Sequence, residues 1–149
     1  MTGNTPTDRI SQILEAQRKY FRSGATLEIS FRKEMLKKLK DSLIRWEKPL
    51  CDALWQDLHK SYEESYMTEL RIVSSEIRCH LKNLSRWSGR KRRHTPLKLF
   101  PSRSYIVKEP LGNALIVSPW NYPVQLLLAP LVGAISAGCT AILKPSPYV

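Results

Sequence analysis

Apolar residues recur every three or four positions through the first half of the chain, and the rhythm then changes. Thr7 and Asp8 are placed to cap a first helix with Ile10, Ile13, Leu14, Gln17 and Phe21 on one side, stopping near Gly24. The run FRKEMLKKLKDSLIRW spaces Phe31, Met35, Leu39, Leu43 and Trp46 at about four residues and predicts a second helix. Pro49 marks a break, and LCDALWQDLH follows as a short third helix. A fourth begins near Tyr62 and repeats Tyr66, Leu70, Val73, Ile77, Leu81 and Leu84, a stripe that predicts packing along its whole length.

Residues 89–101 carry basic residues and two prolines without periodicity, which reads as a linker. Beyond it SRSYIVKEP predicts a half-exposed strand, and NALIV a strand buried on both faces. SPWNYP makes a turn, VQLLLAPLVGAISAG a helix closing on Gly138, and TAILKPS another buried strand. Strand, helix and strand in so few residues form a βαβ unit, which implies a parallel sheet. The expected fold class is α/β: a helical segment and basic linker over residues 1–102, then a strand pair and βαβ unit over 103–149.

Charge alters this picture only locally. The chain has 24 Lys+Arg against 13 Asp+Glu, a formal net charge of +11, yet residues 113–143 carry none of it. A block this long invites a membrane reading, since roughly 20 apolar residues span a bilayer. Asn121, Gln125, three prolines and the SPWNYP turn argue against it, so no transmembrane segment is expected. The opposite extreme, RWSGRKRRHTPLK, could meet phosphates and stack a base on Trp87. It lies in the linker with no nucleic-acid motif around it, so no specific nucleic acid is expected. Cys51, Cys79 and Cys139 show neither CxxC nor a disulfide framework, and each reads as core filler. They fit a reducing, cytoplasmic compartment. The opening MTGNTPTDRI lacks the basic and apolar regions of a signal peptide. His59, His80 and His94 have no metal-ligand spacing, and no metal is expected.

In a parallel sheet, ligands sit outside the carboxyl ends of the strands. SPWN ends one strand and KPS the other, so Asn121 and Lys144 are expected at one edge. Asn121 offers an amide donor beside a helix N-terminus, the parts of an oxyanion hole. Lys144 offers a cationic donor for hydroxyls or phosphates. Simpler roles stand beside these. An Asn before Tyr-Pro is a common helix cap, the reading that local sequence favours, and Lys144 can be a solvated strand end.

PWNYP, then APLVGAISAG, then AILKPS, in this order and spacing, resembles the cofactor domain of NAD(P)-dependent aldehyde dehydrogenases. FRSGAT, DLHKSYEESYMTEL and EPLGNALIVSPWNYP look like the branch that includes class 3-like fatty-aldehyde enzymes. The resemblance implies a Rossmann-like sheet, NAD or NADP as cofactor, an aldehyde substrate and a homodimer. It implies that Asn121 is the side-chain donor of the oxyanion hole. Val117, Ser118, Pro119 and Trp120 match the turn whose backbone lines the dinucleotide site. Lys144 matches the lysine that contacts the adenosine ribose or its phosphate, with Ser146 beside it. Pro147 departs from the pattern: many members place a ribose-binding glutamate there, so cofactor preference stays open.

The family reaction needs a cysteine thiolate to attack the aldehyde and a glutamate to activate water. The segments that carry them match nothing here. The expectation is therefore an incomplete aldehyde dehydrogenase fold, a fragment inactive by itself. The remaining alternative is a basic nucleic-acid-binding or self-associating piece, with SRSYIVKEP as the self-associating strand.

Overall fold

The computed structural model describes residues 5–149; residues 1–4, where the signal-peptide expectation and the first domain both begin, lie outside the described residues. Helix α1 (Thr7–Arg22) begins at Thr7 itself, with Pro6 in the cap position, so the expected Thr7/Asp8 cap is absent. It ends where expected, with Gly24 in the left-handed region at φ 76°. Helix α2 (Ile29–Arg45) buries Leu36 and Leu43, whereas Trp46, expected on its inner face, is exposed. Helix α3 (Glu47–Leu58) starts before Pro49. Proline is tolerated there because the first-turn N–H groups have no helical acceptor, so the break falls at Trp46 instead.

The long fourth helix is interrupted. A short α4 (Tyr62–Ser65) is capped by Ser61, whose hydroxyl accepts from the Glu64 N–H. A π-helical segment, Tyr66–Leu70, leads into α5 (Arg71–Ser88). A π turn carries an extra residue, and here it lets two consecutive side chains, Glu69 and Leu70, both face inward. Along α5 the expected stripe holds, with Val73, Ile77 and Leu84 buried.

The basic linker is not structureless. Lys91–Arg93 forms strand β1, antiparallel to β2 (Ser104–Ile106), with Arg92 opposite Tyr105. A 3-10 turn at Leu97–Leu99 lies between them. Strands β3 (Asn113–Val117) and β4 (Thr140–Lys144) pair in parallel around helix α6 (Pro123–Ala137), which closes on Gly138 at φ 88°. This is the expected α/β architecture with the start of a parallel sheet. Burial on both faces of β3 is corrected: Ile116 is buried, while Leu115 is 68% and Val117 56% exposed. Helices α1 and α6 both pack against the strand pair. Gln17 of α1 reaches across, its Nε2 donating to the Ala141 carbonyl at 3.0 Å.

One hydrophobic cluster joins Leu36, Leu43, Cys51, Leu54, Leu70, Val73, Ile77, Leu84 and Val132, linking α2, α3, α5 and α6. Each fully buried aliphatic side chain contributes about 1.5–3 kcal/mol, and together they fix α6 against the helical segment. Among the described residues, no helix is long and apolar enough to cross a membrane.

Candidate functional site at the carboxyl edge of the strands

The parallel register sets Val117 opposite Lys144, and the Ser118 N–H donates to the Lys144 carbonyl at 3.1 Å. The two strand ends therefore terminate side by side, and the turn carrying Asn121 emerges next to Lys144. Val117, Pro119, Trp120, Asn121 and Lys144 are exposed along this edge. Ser118 and Ser146 are buried and use their hydroxyls locally. Ser118 Oγ is shared between the Pro119 carbonyl at 3.0 Å and the Pro123 carbonyl at 2.9 Å. Ser146 Oγ accepts from the Tyr148 N–H at 3.1 Å. Their part at the edge is to shape backbone. Among the described residues, Lys144 Nζ makes only a long contact of 3.5 Å to the Pro145 carbonyl, and the residue is exposed to solvent.

The N-terminus of α6 corrects two sequence readings. The cap position is Tyr122, with no side-chain cap bond, and the Asn121 side chain makes no hydrogen bond among the described residues. Asn121 is not a helix cap. Nor are the helix amides free for a ligand. Pro123 has no N–H, and one oxygen of Glu69, Oε2, accepts from Val124 N–H at 2.8 Å and Gln125 N–H at 3.2 Å. The next amide, Leu126, already donates to the Tyr122 carbonyl. The positive pole of α6 is thus filled by a carboxylate of the chain itself.

Glu69 is fully buried and does not stand alone. Its Oε1 accepts from Lys60 Nζ at 2.6 Å. The same ammonium donates to the Asn121 carbonyl at 2.7 Å and lies 3.9 Å from the centre of the Tyr122 ring. A buried carboxylate is tolerable when paired and hydrogen-bonded, and here its partners are two first-turn amides of α6 and a lysine that also binds the Asn121 carbonyl. Sequence reading passed over both residues. The available signal was position: Glu69 falls three residues after Tyr66 and four before Val73, on the apolar stripe. Lys60 carried no comparable signal.

At the other end of α6, Arg32 donates Nη1 to the Ser136 carbonyl at 3.2 Å and Nε to the Thr26 carbonyl at 3.0 Å. Burial lowers the Arg32 pKa from its ordinary value, with Cys139 and Glu28 opposing that shift. His80 lies between Ser136 Oγ, at 2.6 Å from Nδ1, and Glu76 Oε1, at 3.1 Å from Nε2. These are the residue types of a hydrolytic triad, but Ser136 sits in the last turn of α6, where the carbonyl pole disfavours an alkoxide. The cluster ties α5 to α6.

The cysteines stand apart from the edge. Cys51 is in the core, where burial, followed by Glu47, Asp52 and Glu69, pushes its thiol pKa up, opposite to what a nucleophile requires. Cys139 precedes β4 at the end remote from Lys144, about 16 Å away at 3.3 Å per residue. Cys79, expected in the core, is exposed on α5. Among the described residues, no three His, Cys, Asp or Glu side chains gather as a metal site.

Residues 3–149 match the aldehyde dehydrogenase family model. The chain is 47% identical over 137 residues to the 4,4'-diaponeurosporen-aldehyde dehydrogenase of Staphylococcus aureus, covering 92% of this chain and 30% of that one. It is 43% identical to aldehyde dehydrogenase family 3 member B3 of Mus musculus, covering 94% of this chain and 29% of that one. Among solved structures, the substrate-bound state of Staphylococcus aureus AldH superposes with a TM-score of 0.89 at 47% identity, over 92% of this chain and 30% of that one. A betaine aldehyde dehydrogenase from Staphylococcus aureus in complex with NAD+ superposes with a TM-score of 0.74 at 25% identity, over 86% of this chain and 26% of that one. The chain thus spans about 30% of the length of the curated relatives it matches. With all but its first two residues matched, the chain belongs to the aldehyde dehydrogenase family.

Proposed function

We propose that this chain supplies the oxyanion donor and one edge of the nucleotide site of an NAD(P)-dependent aldehyde dehydrogenase, which oxidises aldehydes to carboxylic acids through a thiohemiacetal. The observation that carries this reading is the Val117–Lys144 register, which brings Asn121 and Lys144 to one open edge. Asn121 has an exposed amide with no competing partner among the described residues, so it can donate to a substrate oxygen as charge develops there. Lys144 has an ammonium free to meet ribose hydroxyls or a phosphate. The donor set fits a dinucleotide: a free cation, the exposed Val117, Pro119 and Trp120, and backbone held by Ser118 and Ser146. When bound, the nicotinamide accepts the hydride. The relative solved with NAD+ supports NAD, and Pro147 in place of a carboxylate leaves room for NADP.

The placement of the three cysteines supports the further reading that these 149 residues alone turn over no aldehyde. Their free thiols also support the cytoplasm as compartment. The division at residues 102 and 103 is kept as a functional one, with the edge residues all on the second side.

The purified chain is to be titrated with NAD and NADP by NMR and assayed with an apolar aldehyde. Weak, saturable shifts confined to residues 117–121 and 144–146, lost in Lys144→Ala, are expected, with no turnover. Absence of such shifts overturns the nucleotide reading, and turnover overturns the inactivity.

A second reading, self-association, has its own observation: all of β1 is exposed, as are Tyr105, Ile106 and Val107 at β2. An unpaired strand edge is a template for another chain, in keeping with a homodimer. Elution volume that moves with concentration supports it; an unchanging monomer volume opposes it.

A further inference from the structure

We propose that Lys60 and Glu69 are positioning residues for Asn121, acting as a buried ionic latch that fixes the PWNYP turn; the inference rests on the oxyanion reading of Asn121. Three observations converge. Glu69 Oε2 takes the two N–H groups that begin α6, at 2.8 and 3.2 Å, and so fixes where the helix starts. Lys60 Nζ joins Glu69 to the carbonyl of Asn121 itself, at 2.6 and 2.7 Å. The Lys60 ammonium also rests 3.9 Å from the Tyr122 ring centre, holding the residue between Asn121 and the helix. Residues 121, 122, 124 and 125 are thus each touched by one member of the pair.

The arrangement suits this position. A donor that stabilises charge must be fixed before reaction, because reorganisation would cost part of the gain. Asn121 is exposed and its side chain is unbonded among the described residues, so its direction is set by its backbone. That backbone lies in a turn with two prolines, and Lys60 anchors its carbonyl. Glu69 is brought to the site by the π segment, where the extra residue turns two adjacent side chains inward. The latch also keeps the helix pole from capturing a stray anion, which leaves Asn121 as the donor of this turn.

The test uses the 149-residue chain and the variants Glu69→Gln, Lys60→Met and Lys60→Arg, read by NMR. One readout is amide hydrogen exchange at Val124 and Gln125, and another is the line width and shift of the Asn121 side-chain amide. In Glu69→Gln and Lys60→Met, exchange at 124 and 125 is expected to rise about tenfold or more, the scale of one charge-assisted hydrogen bond. The Asn121 signals should broaden in both, and exchange at 124 and 125 should rise by more than exchange at Val73 and Ile77, which follows only the global loss of stability. Lys60→Arg, which keeps the charge, should restore most of the protection. Unchanged Asn121 signals overturn the proposal, as does an equal rise in exchange across the whole core. Should Glu69→Gln or Lys60→Met fail to fold, the other decides by the same two readouts, and Lys60→Arg serves only as the rescue. None of these readouts depends on catalysis. Loss of the nucleotide-dependent shifts at residues 117–121 with the latch effects intact would therefore remove the edge reading without touching the latch.

Discussion

The two ends of α6 are both closed by charge from elsewhere in the chain, yet in different ways. At the start, a fully buried glutamate paired with a lysine replaces a local cap. At the finish, a partly buried arginine meets the Ser136 carbonyl, and a glycine adopts the left-handed turn that local sequence already announced. Both charges have the sign that the helix dipole favours. The start borders the exposed Asn121 turn, whereas the finish is held by the Arg32 and His80 hydrogen bonds and by packing. The lesson is that a helix without charged residues of its own can be oriented by distant side chains, and that the buried pair sits at the end that carries the Asn121 turn.

Replacing Glu69 by Ala should break the comparison most severely. It strands the Lys60 ammonium and uncovers two amides, so a loss of about 3–5 kcal/mol is expected in urea unfolding. The double variant Lys60→Met/Glu69→Leu should recover much of this, because no charge is left unpaired; additive losses would contradict the latch. Gly138→Ala acts at the other end. Its Cβ would meet the Thr26 carbonyl at 3.0 Å and Arg32 Nε at 3.1 Å, with φ at +88°. A cost of about 2 kcal/mol is expected as a lower thermal midpoint. Arg32→Met should cost about 1–2 kcal/mol by the same measurement, since several neutral carbonyl bonds are lost from a site that water partly reaches. Asn121→Ala should leave stability within about 0.5 kcal/mol, for an exposed, unbonded amide carries no structural load. A larger loss there would return Asn121 to a capping role.

Much of this was legible from the chain. Repeats such as Val73, Ile77 and Leu84 report burial because side chains on one helix face meet one neighbour. The βαβ unit and its Gly138 stop follow from chain-local rules, and with them the shared edge of Asn121 and Lys144. What escaped was non-local or atypical. Lys91–Arg93 forms a strand with every side chain exposed, so no alternation betrays it. Cys79 falls on the solvent side of α5, a detail of helix rotation that composition does not report. Glu69 carried a positional hint, but the amides it accepts from lie more than fifty residues onward, and Lys60 offered none.

The latch also separates two electrostatic behaviours by ionic strength. Surface pairs such as Lys38–Glu34 and Lys48–Asp52 are more than half exposed, and mobile ions screen them as salt is added. The same holds for the attraction of the acid-free stretch between Glu76 and Glu109 toward any polyanion. Lys60 and Glu69, at 10% and 0% side-chain exposure, lie beyond the reach of the counterion cloud. A brine concentrated enough to silence the basic ribbon should therefore leave the Asn121 turn set as it was.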